Sequence, residues 1–530
     1  MIPKRTIVLV LLMCVFGPAC RPKTQTQDFQ QTNVTSSANG MVTSKEIDLY
    51  FRHHPSTGTL AKLVSSVYQK RNFEPIWFPN GQKSSAYYQL HETLAHAYQW
   101  GLNPSNYSLQ NTHSADLATC EVMVTQTALI FFSHISFGIV RTKSILEEQE
   151  HVFFQKQLSD GLDGAIETGN FKSVLEHLQP SFPQYSRLQQ AASAIDFPIY
   201  SAYPFTLYDS STIDPTFWNL FKQMGYDTDG LPKNKFWQSK LLASFQKASG
   251  LNVTGQCNFD TYALLLKDRY EWFKLLELNL ERLRQNPPLP DTYVWVNIPS
   301  FKLEMVQNKK VIHTTRVVVG APDTPTPILS GKISHIITYP SWNIPTSIIR
   351  NEIIPAMRRD STYLEKKGYK VATWSGQSMP NSSVLHQFKD SEYLPYNVSQ
   401  PSGADNALGT LKFLFNNSES IYLHDTNAKS YFTRQFRALS HGCVRVQDPR
   451  YLATLLLDST SVNQMDKQLD NHTSGHIALK KEIGVCLRYI TCDVLANGSL
   501  VKYNDVYRQD FFDRHRMETC LDPIKYPKAN

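Results

Sequence analysis

The sequence has little charge for its length and no concentrated basic region. Charged residues make up 19% of its 530 positions, and the formal net charge is only +7. No run of lysine and arginine is interleaved with aromatic side chains, which argues against nucleic acid as a partner. The mild positive balance suits anionic surroundings, although a solvated basic surface is the simpler interpretation.

Cysteine is too sparse and too irregularly spaced to form a disulfide framework. Eight cysteines are spread over a chain that is 41% hydrophobic, and a chain of this length can bury cores without cross-links. In an exported protein an even set could still pair, so the state of Cys120, Cys257 and Cys520 is left open. Cys486 and Cys492 lie in or beside a strand-like run, and we expect both to be buried or half-buried thiols, with their disulfide status also left open.

Long apolar runs are missing after the first residues. The stretch Ile7–Phe16 follows Lys4 and Arg5, is short for a membrane span and precedes Cys20. It resembles a bacterial lipoprotein signal, although Gly17 stands where leucine is usual. We expect export to the periplasm with lipid on Cys20, or alternatively simple cleavage and secretion. No later segment is expected to span a membrane.

Composition and periodicity divide the rest of the chain, and length alone suggests about three domains. Apolar positions such as Leu60, Leu63 and Val64 recur at helical spacing, whereas from Tyr293 the spacing changes to two, which predicts strands. The predicted divisions are a signal over 1–20, a polar tether over 21–45, a helical domain over 46–205, a small helical domain over 206–268, a linking helix over 269–290, a sheet domain over 291–460 with an insertion at about 342–401, and C-terminal strands over 461–530.

One cluster of histidines invites a metal-site hypothesis that its spacing does not support. His91, Glu92 and His96 nearly form a zinc-protease signature. The two histidines are five residues apart, and only a spacing of four places both on one face of a helix. We therefore predict no metal site.

Another short stretch concentrates the residues of nucleophilic chemistry. His424 ends a strand-like run, and after fifteen residues come Ser440, His441, Gly442 and Cys443. A cysteine attacks as its thiolate, and histidine is the natural base near neutral pH. Fifteen residues are enough chain to return the cysteine to His424, and glycine permits close backbone approach. The N–H groups of Gly442 and Cys443 can then face a developing oxyanion.

This pattern resembles the signature of the L,D-transpeptidases with a YkuD-type catalytic domain. The stretches VNIPSFKLEM, RVVVGAPDTPTP, YPSWNIPTSI, NALGTLKFLF and YLHDT are similar to the large, multidomain YcbB-like branch, in which Arg is common at the position of Arg445. The resemblance implies an α+β multidomain protein. It would have a β-sheet-rich catalytic domain with an inserted lid, a helical scaffold and a small helical peptidoglycan-binding-like domain, and it would need no metal or organic cofactor.

The resemblance also implies an activity and residue roles. Cys443 would attack a tetrapeptide stem, release D-Ala and form 3–3 crosslinks through a thioester, with His424 as the base. Supporting or oxyanion roles would fall to Gly442, His441, Ser440 and Asp425 (through its backbone carbonyl), and substrate-binding roles to Arg445, Tyr422, Trp342, Asn343 and Ser347. The implied partners are peptidoglycan stem peptides and glycan, the membrane through the lipid, and carbapenem-type β-lactams as inhibitors.

Other interpretations remain open at this point. The same site could transfer to water, as an L,D-carboxypeptidase or endopeptidase, or the chain could be a non-catalytic wall-binding lipoprotein. The local Cys-Gly-Ser/Ala-Cys context of papain-like proteases is absent. In the small helical domain, the pattern around Phe245, Gln246, Gly250, Leu251 and Gly255 resembles a peptidoglycan-binding domain, with a helical spacer that binds nothing as the alternative.

Overall fold

A computed structural model describes most of the chain after residue 41. The described residues are 42–53, 58–107, 109, 116–147, 151–195, 215–249, 253–255, 269–379 and 396–521. The predicted signal with Cys20 and most of the tether therefore lie outside the described residues. The same holds for Cys257 and for the Gly250-Leu251 part of the small helical domain.

The N-terminal part of the described chain is a helical body around one apolar core, as predicted. In Gly58–Gln69 the helical spacing places Leu60, Leu63 and Val64 on one face, and all three are buried. The helices of this body are Ser44–His53, Gly58–Gln69, Ser85–Ala95, Leu117–Phe137, Ile139–Glu147, Val152–Thr168, Phe171–Leu178 and Pro183–Ser193, with short 3-10 turns at Pro79–Gly81, Ala97–Trp100 and Pro104–Tyr107.

One helix of this body corrects the expectation about membrane-spanning segments. Leu117–Phe137 is the single helix in the described residues that is long and apolar enough to cross a membrane. However, 94% of its most apolar window is buried inside the protein. It even carries a buried carboxylate, since Glu121 accepts hydrogen bonds from the Trp77 N–H at 2.8 Å and the Tyr68 hydroxyl at 2.8 Å. Its apolar surface is thus used for packing within the core.

A nine-stranded sheet forms the C-terminal domain, which confirms the predicted sheet-rich region. The strands of the described residues, including three in the lid (β5–β7) and a hairpin (β13–β14), are β1 Thr292–Asn297, β2 Lys302–Gln307, β3 Lys310–Gly320, β4 Leu329–Thr338, β5 Trp342–Asn343, β6 Lys370–Thr373, β7 Tyr396–Gln400, β8 Leu411–Phe415, β9 Leu423–His424, β10 Ala438–Ser440, β11 Val444–Val446, β12 Gly475–Arg488, β13 Cys492–Val494 and β14 Leu500–Lys502. The strand order in the large sheet is β10-β3-β11-β9-β8-β4-β12-β1-β2. β3 pairs with β2 along its first part and with β11 and β10 at its end, so the sheet curves back onto itself.

Strand β1 joins the sheet domain to the helical body, because both of its faces are buried. Val294 and Val296 pack into the core of the sheet domain. The alternate residues Tyr293 and Trp295 pack into a second core, which is shared with the helices Pro183–Ser193 and Arg269–Arg284. The period of two in the sequence is therefore real, but here it separates two apolar cores rather than a core from solvent.

The C-terminal residues complete the sheet and then return to the helical body. β12 lies inside the sheet, between β4 and β1, with Cys486 buried as a free thiol. The predicted turn at Asn497-Gly498 joins β13 and β14, and Gly498 has the positive φ of +82° that this turn requires. Cys492 in β13 is also a buried free thiol, as predicted. The helix Gln509–Leu521 follows and buries Met517 in the core of the helical body.

The lid inserted after β4 has its own small apolar core. It contains the three-stranded sheet β5-β7-β6. Its helices are Thr346–Ile348, the π-helical turn Ile349–Ile353, Ile354–Arg359 and Tyr363–Lys366. The remaining described helices are Pro215–Gln223, Lys235–Ala248 and Arg269–Arg284 before the sheet domain, and the 3-10 turn Lys429–Thr433, Pro449–Leu456 and Ser459–Asp470 within it.

Candidate active site

Two neighbouring parallel strands bring the predicted nucleophile and base into one region of the sheet. β11 pairs with β9 so that Val444 is opposite Leu423, and the next pair is Arg445 opposite His424. Val444 and Leu423 are fully buried in the sheet core, and because side chains alternate along a strand, His424 and Arg445 project from the opposite face. Cys443 immediately precedes β11, and Arg445 is within electrostatic reach of both its thiol and the His424 imidazole.

Lys412, which the sequence analysis did not single out, lies next to His424 on the neighbouring strand β8. β8 pairs with β9 in the antiparallel sense, and Lys412 is opposite His424. Its Nζ lies 3.8 Å from the centre of the Tyr422 ring. The only sequence signal is alternation in Leu-Lys-Phe, where a charged residue separates the two buried residues Leu411 and Phe413.

The turn that carries the cysteine is held by a small set of hydrogen bonds. The Ser440 hydroxyl donates to the Cys443 carbonyl at 2.6 Å and accepts from the Gly442 N–H at 3.2 Å. Gly442 has φ +112°, a conformation that favours glycine, and its carbonyl accepts from the Thr326 hydroxyl at 2.6 Å. The Gly442 N–H is thus engaged within the turn, whereas the Cys443 N–H has no acceptor among the described residues. Of these two N–H groups, that of Cys443 is therefore the one available to donate a hydrogen bond to an oxyanion.

His424 is buried and electrically neutral at ordinary pH. Burial lowers the pKa of His424 to about 3, and the positive charge of Arg445, followed by that of Lys412, acts in the same direction. The backbone groups of Asp425 and Leu408 raise the pKa, but by less than the other effects lower it. The neighbouring carbonyl at Asp425 is where the sequence analysis placed the group that orients the base. A neutral imidazole is the form that can accept a proton from a thiol.

Cys443 is half-buried, and its surroundings pull its ionisation in two directions. Burial raises the pKa of the thiol. The backbone and phenol of Tyr422, and then the charges of Lys412 and Arg445, lower it but do not fully offset the burial. In the resting structure Cys443 is therefore a neutral thiol and His424 a neutral imidazole.

Two known family models match parts of this chain. The model of the L,D-transpeptidase catalytic domain family, YkuD, matches residues 291–463. This part of the chain is therefore similar to the L,D-transpeptidase catalytic domains. A second family model, described as a scaffold domain, matches residues 62–191 in the helical body.

Individual proteins similar to this chain include one curated relative and several solved structures. A Haemophilus influenzae protein named "Putative L,D-transpeptidase" is 34% identical over 237 residues, which are 44% of this chain and 48% of that protein. The chain thus matches about half the length of this curated relative. Solved L,D-transpeptidases from Enterococcus faecium and Mycobacterium tuberculosis align at 13% and 11% identity with TM-scores of 0.16 and 0.15, over 38% and 37% of this chain and 52% and 60% of theirs.

The lid touches the candidate site through Glu352. Glu352 in the π-helical turn pairs with the Nε2 of His441, whose side chain is 40% exposed. Burial raises the pKa of Tyr422, Cys443 acts in the same direction, and Trp342 in the first lid strand lowers it by less. Trp342 therefore lies near Tyr422. His441 faces the lid rather than the imidazole of His424.

The other predicted residues differ in their surroundings. The Asp425 carboxylate is buried, accepts from the Thr410 N–H at 3.0 Å and pairs with Lys429, so it fixes the chain after the base. Arg445 is half-buried, and its Nε atom is buried with no hydrogen-bond partner in the described residues. Asn343 and Ser347 are exposed at the start of the lid and are not brought against the thiol.

Proposed function

We propose that this protein is a cysteine-dependent L,D-transpeptidase that forms 3–3 crosslinks in peptidoglycan. The observation that carries the proposal is the position of His424 in β9 next to β11, which Cys443 immediately precedes, within the region that the catalytic-domain family model matches. The turn from Ser440 to Cys443 supports it, because its hydrogen bonds engage the Gly442 N–H and leave that of Cys443 for an oxyanion.

In the first half-reaction, the Cys443 proton passes to the neutral imidazole of His424. The sulfur then attacks the carbonyl carbon of the third stem residue, a diamino acid joined to terminal D-Ala, and the Cys443 N–H faces the oxyanion. When the intermediate collapses, the bond to the D-Ala nitrogen breaks. The leaving amine takes the proton from His424, and a thioester remains on the sulfur.

In the second half-reaction, an amine of the diamino acid on another stem attacks the thioester carbonyl. His424 accepts the proton of that amine, the carbon–sulfur bond breaks, and the thiolate is reprotonated. Water attacking the same thioester would give the carboxypeptidase or endopeptidase outcome instead. The pairing of Glu352 with His441, two residues before Cys443, supports a role for the lid in restricting water at the thioester.

Incubation of the purified protein with a defined disaccharide tetrapeptide tests the proposal. We expect a product with the mass of two stems less one D-Ala, and fragmentation that joins the two diamino acids. A product of one stem less D-Ala, without any dimer, would assign the site to hydrolysis. No change in the stem would contradict both activities and leave the wall-binding alternative.

The lid contact gives a separate prediction about the partition between amine and water. Replacing Glu352 by glutamine removes the pairing with His441, which is an exposed contact worth about 1 kcal/mol or less. We therefore expect the ratio of hydrolysed to crosslinked product to rise about two- to fivefold. Glu365→Gln changes another exposed lid carboxylate, in the helix Tyr363–Lys366, and should leave the ratio unchanged. An equal ratio in both variants would show that the Glu352 contact does not restrict water.

The proposal extends to inhibitors and location. A carbapenem presents a strained acyl carbon that the Cys443 sulfur can attack, with opening of the β-lactam ring and a covalent adduct as the result. Tyr422 and Arg445 act on the Cys443 thiol, and together with Trp342 of the lid they are the proposed substrate-binding residues. Export to the periplasm with lipid on Cys20 suits a substrate in the cell wall.

A further inference from the structure

The active-site face carries two positive charges and no acidic partner for either. Lys412 and Arg445 flank His424 on β8 and β11, in the same row of the sheet. Neither forms an ion pair with an acidic side chain in the described part of the chain. Two carboxylates next in sequence or contact to site residues are engaged elsewhere, since Asp425 pairs with Lys429 and Glu352 pairs with His441. Charges that are partly buried in this way are normally paired.

The side chains also show where an anion would lie. The Nζ of Lys412 stacks on the Tyr422 ring at 3.8 Å, and a cation over an aromatic face keeps its remaining hydrogens for another acceptor. Arg445 packs near the Tyr431 ring at 5.7 Å and has an unpartnered, buried Nε–H. Both charges act on the Cys443 thiol, which places them within electrostatic reach of the reacting sulfur.

We propose that Lys412 is a substrate-binding residue that, together with Arg445, receives a carboxylate of the donor stem beside Cys443. The inference deepens the proposed function and rests on it for the identity of the donor. Two carboxylates of the donor have the required chemistry, namely that of the terminal D-Ala and that of the diamino acid side chain. Strands β8, β9 and β11 are spaced at about 4.8 Å, so the two long side chains can meet one carboxylate above His424.

This arrangement has a consequence for the base. The positive charges of Arg445 and Lys412 oppose protonation of His424, because both lower its pKa. A bound carboxylate offsets those charges at the moment when His424 has to accept the thiol proton. A donor stem that lacks the carboxylate would lose both its anchor and this assistance.

Alkylation of Cys443 with a matched pair of reagents tests the inference without a turnover assay. Iodoacetate and iodoacetamide react identically, forming a carbon–sulfur bond and releasing iodide, but only iodoacetate carries a carboxylate. The rate at Cys443 is measured by peptide mass spectrometry of the full chain. The ratio of the iodoacetate rate to the iodoacetamide rate reports recognition of the carboxylate, while the iodoacetamide rate alone reports the reactivity of the thiol.

We expect Lys412→Met to lower this ratio by roughly tenfold, the size expected from losing one nearby charge in a partly buried site. Lys412→Arg should keep most of the ratio. Lys332→Met, which removes an exposed lysine from β4, should keep all of it. If Lys412→Met lowers both rates equally, or neither, then Lys412 does not recognise a carboxylate and the inference is wrong.

Two amidated donors distinguish which carboxylate is received. One tetrapeptide has its terminal D-Ala amidated, and the other has the diamino acid side-chain carboxylate amidated. Wild type should acylate more slowly with the amide at the recognised position, and Lys412→Met should remove the difference for that donor alone. If no stem is turned over by wild type, the proposed function fails, while the alkylation ratio still decides the role of Lys412.

Discussion

Replacing Cys443 by alanine is expected to abolish crosslinking of tetrapeptide stems, with a loss of at least about a thousandfold in rate. The reason is that the other cysteines in the described part of the chain lie away from the candidate site. Cys120, Cys486 and Cys492 are buried in other cores, and Cys520 lies in the last helix. The measurement is dimer formation followed by mass spectrometry, with circular dichroism to establish that the variant is folded.

The same variant should fail to form a carbapenem adduct. Wild type is expected to gain the mass of one carbapenem molecule on the peptide that contains Cys443, whereas Cys443→Ala should gain none. Cys520→Ala provides the matched control, because it removes a half-buried free thiol far from β11 and should react as wild type does. Undiminished turnover in Cys443→Ala, or an adduct on another residue, would remove Cys443 from the mechanism.

The sequence predicted the parts of the fold that depend on local patterns. Helical spacing identified the buried face of Gly58–Gln69, and a glycine with positive φ marks the predicted turn at Gly498. The spacing between His424 and Cys443 was informative for the same reason, since the family signature is a local pattern. Fifteen intervening residues return the chain so that β11 lies directly beside β9.

The features that the sequence did not predict depend on register and on contacts between distant segments. Lys412 reaches the site because β8 pairs with β9 in one register, and a shift of one residue would turn it to the other face. Glu352 meets His441 across 89 residues of sequence. The helix Leu117–Phe137 was not expected to be long and apolar enough to cross a membrane, and only the surrounding helices show that its apolar surface lies in a core.

The charge state of His424 and the availability of the backbone N–H groups could not be predicted from the sequence either. A histidine placed next to a cysteine suggests an ion pair, but burial among Arg445 and Lys412 keeps His424 neutral in this structure. The hydrogen bond from the Gly442 N–H to Ser440 likewise changes which N–H is available to an oxyanion. Both facts follow from solvent exclusion and turn geometry, which a list of residue types does not contain.

Replacing His424 by glutamine is expected to slow acylation of Cys443 by roughly 100- to 10,000-fold, the usual contribution of a positioned general base. Glutamine has a similar size and no basic nitrogen, so the proton of the thiol has no acceptor. The acylation rate with a tetrapeptide donor is the measurement. His335→Gln, which changes an exposed histidine on β4 of the same sheet, should behave as wild type. Equal loss in both variants would indicate a structural effect rather than loss of the base.

The same substitution should change how stability depends on pH. Because the pKa of His424 is lowered to about 3 in the folded state, the unfolded chain binds the extra proton first as pH falls below about 6.5. The contribution of His424 to stability is therefore complete above pH 6.5 and is lost progressively between pH 6.5 and 3. When the pH is lowered from 7 to 5, wild type should lose roughly 2 kcal/mol more unfolding free energy than His424→Gln.

His134, whose pKa burial also lowers to about 3, is present in both proteins and cancels in this comparison. Identical pH dependence in thermal or urea unfolding would mean that His424 is not held neutral by burial, and the account of a neutral resting pair would fail.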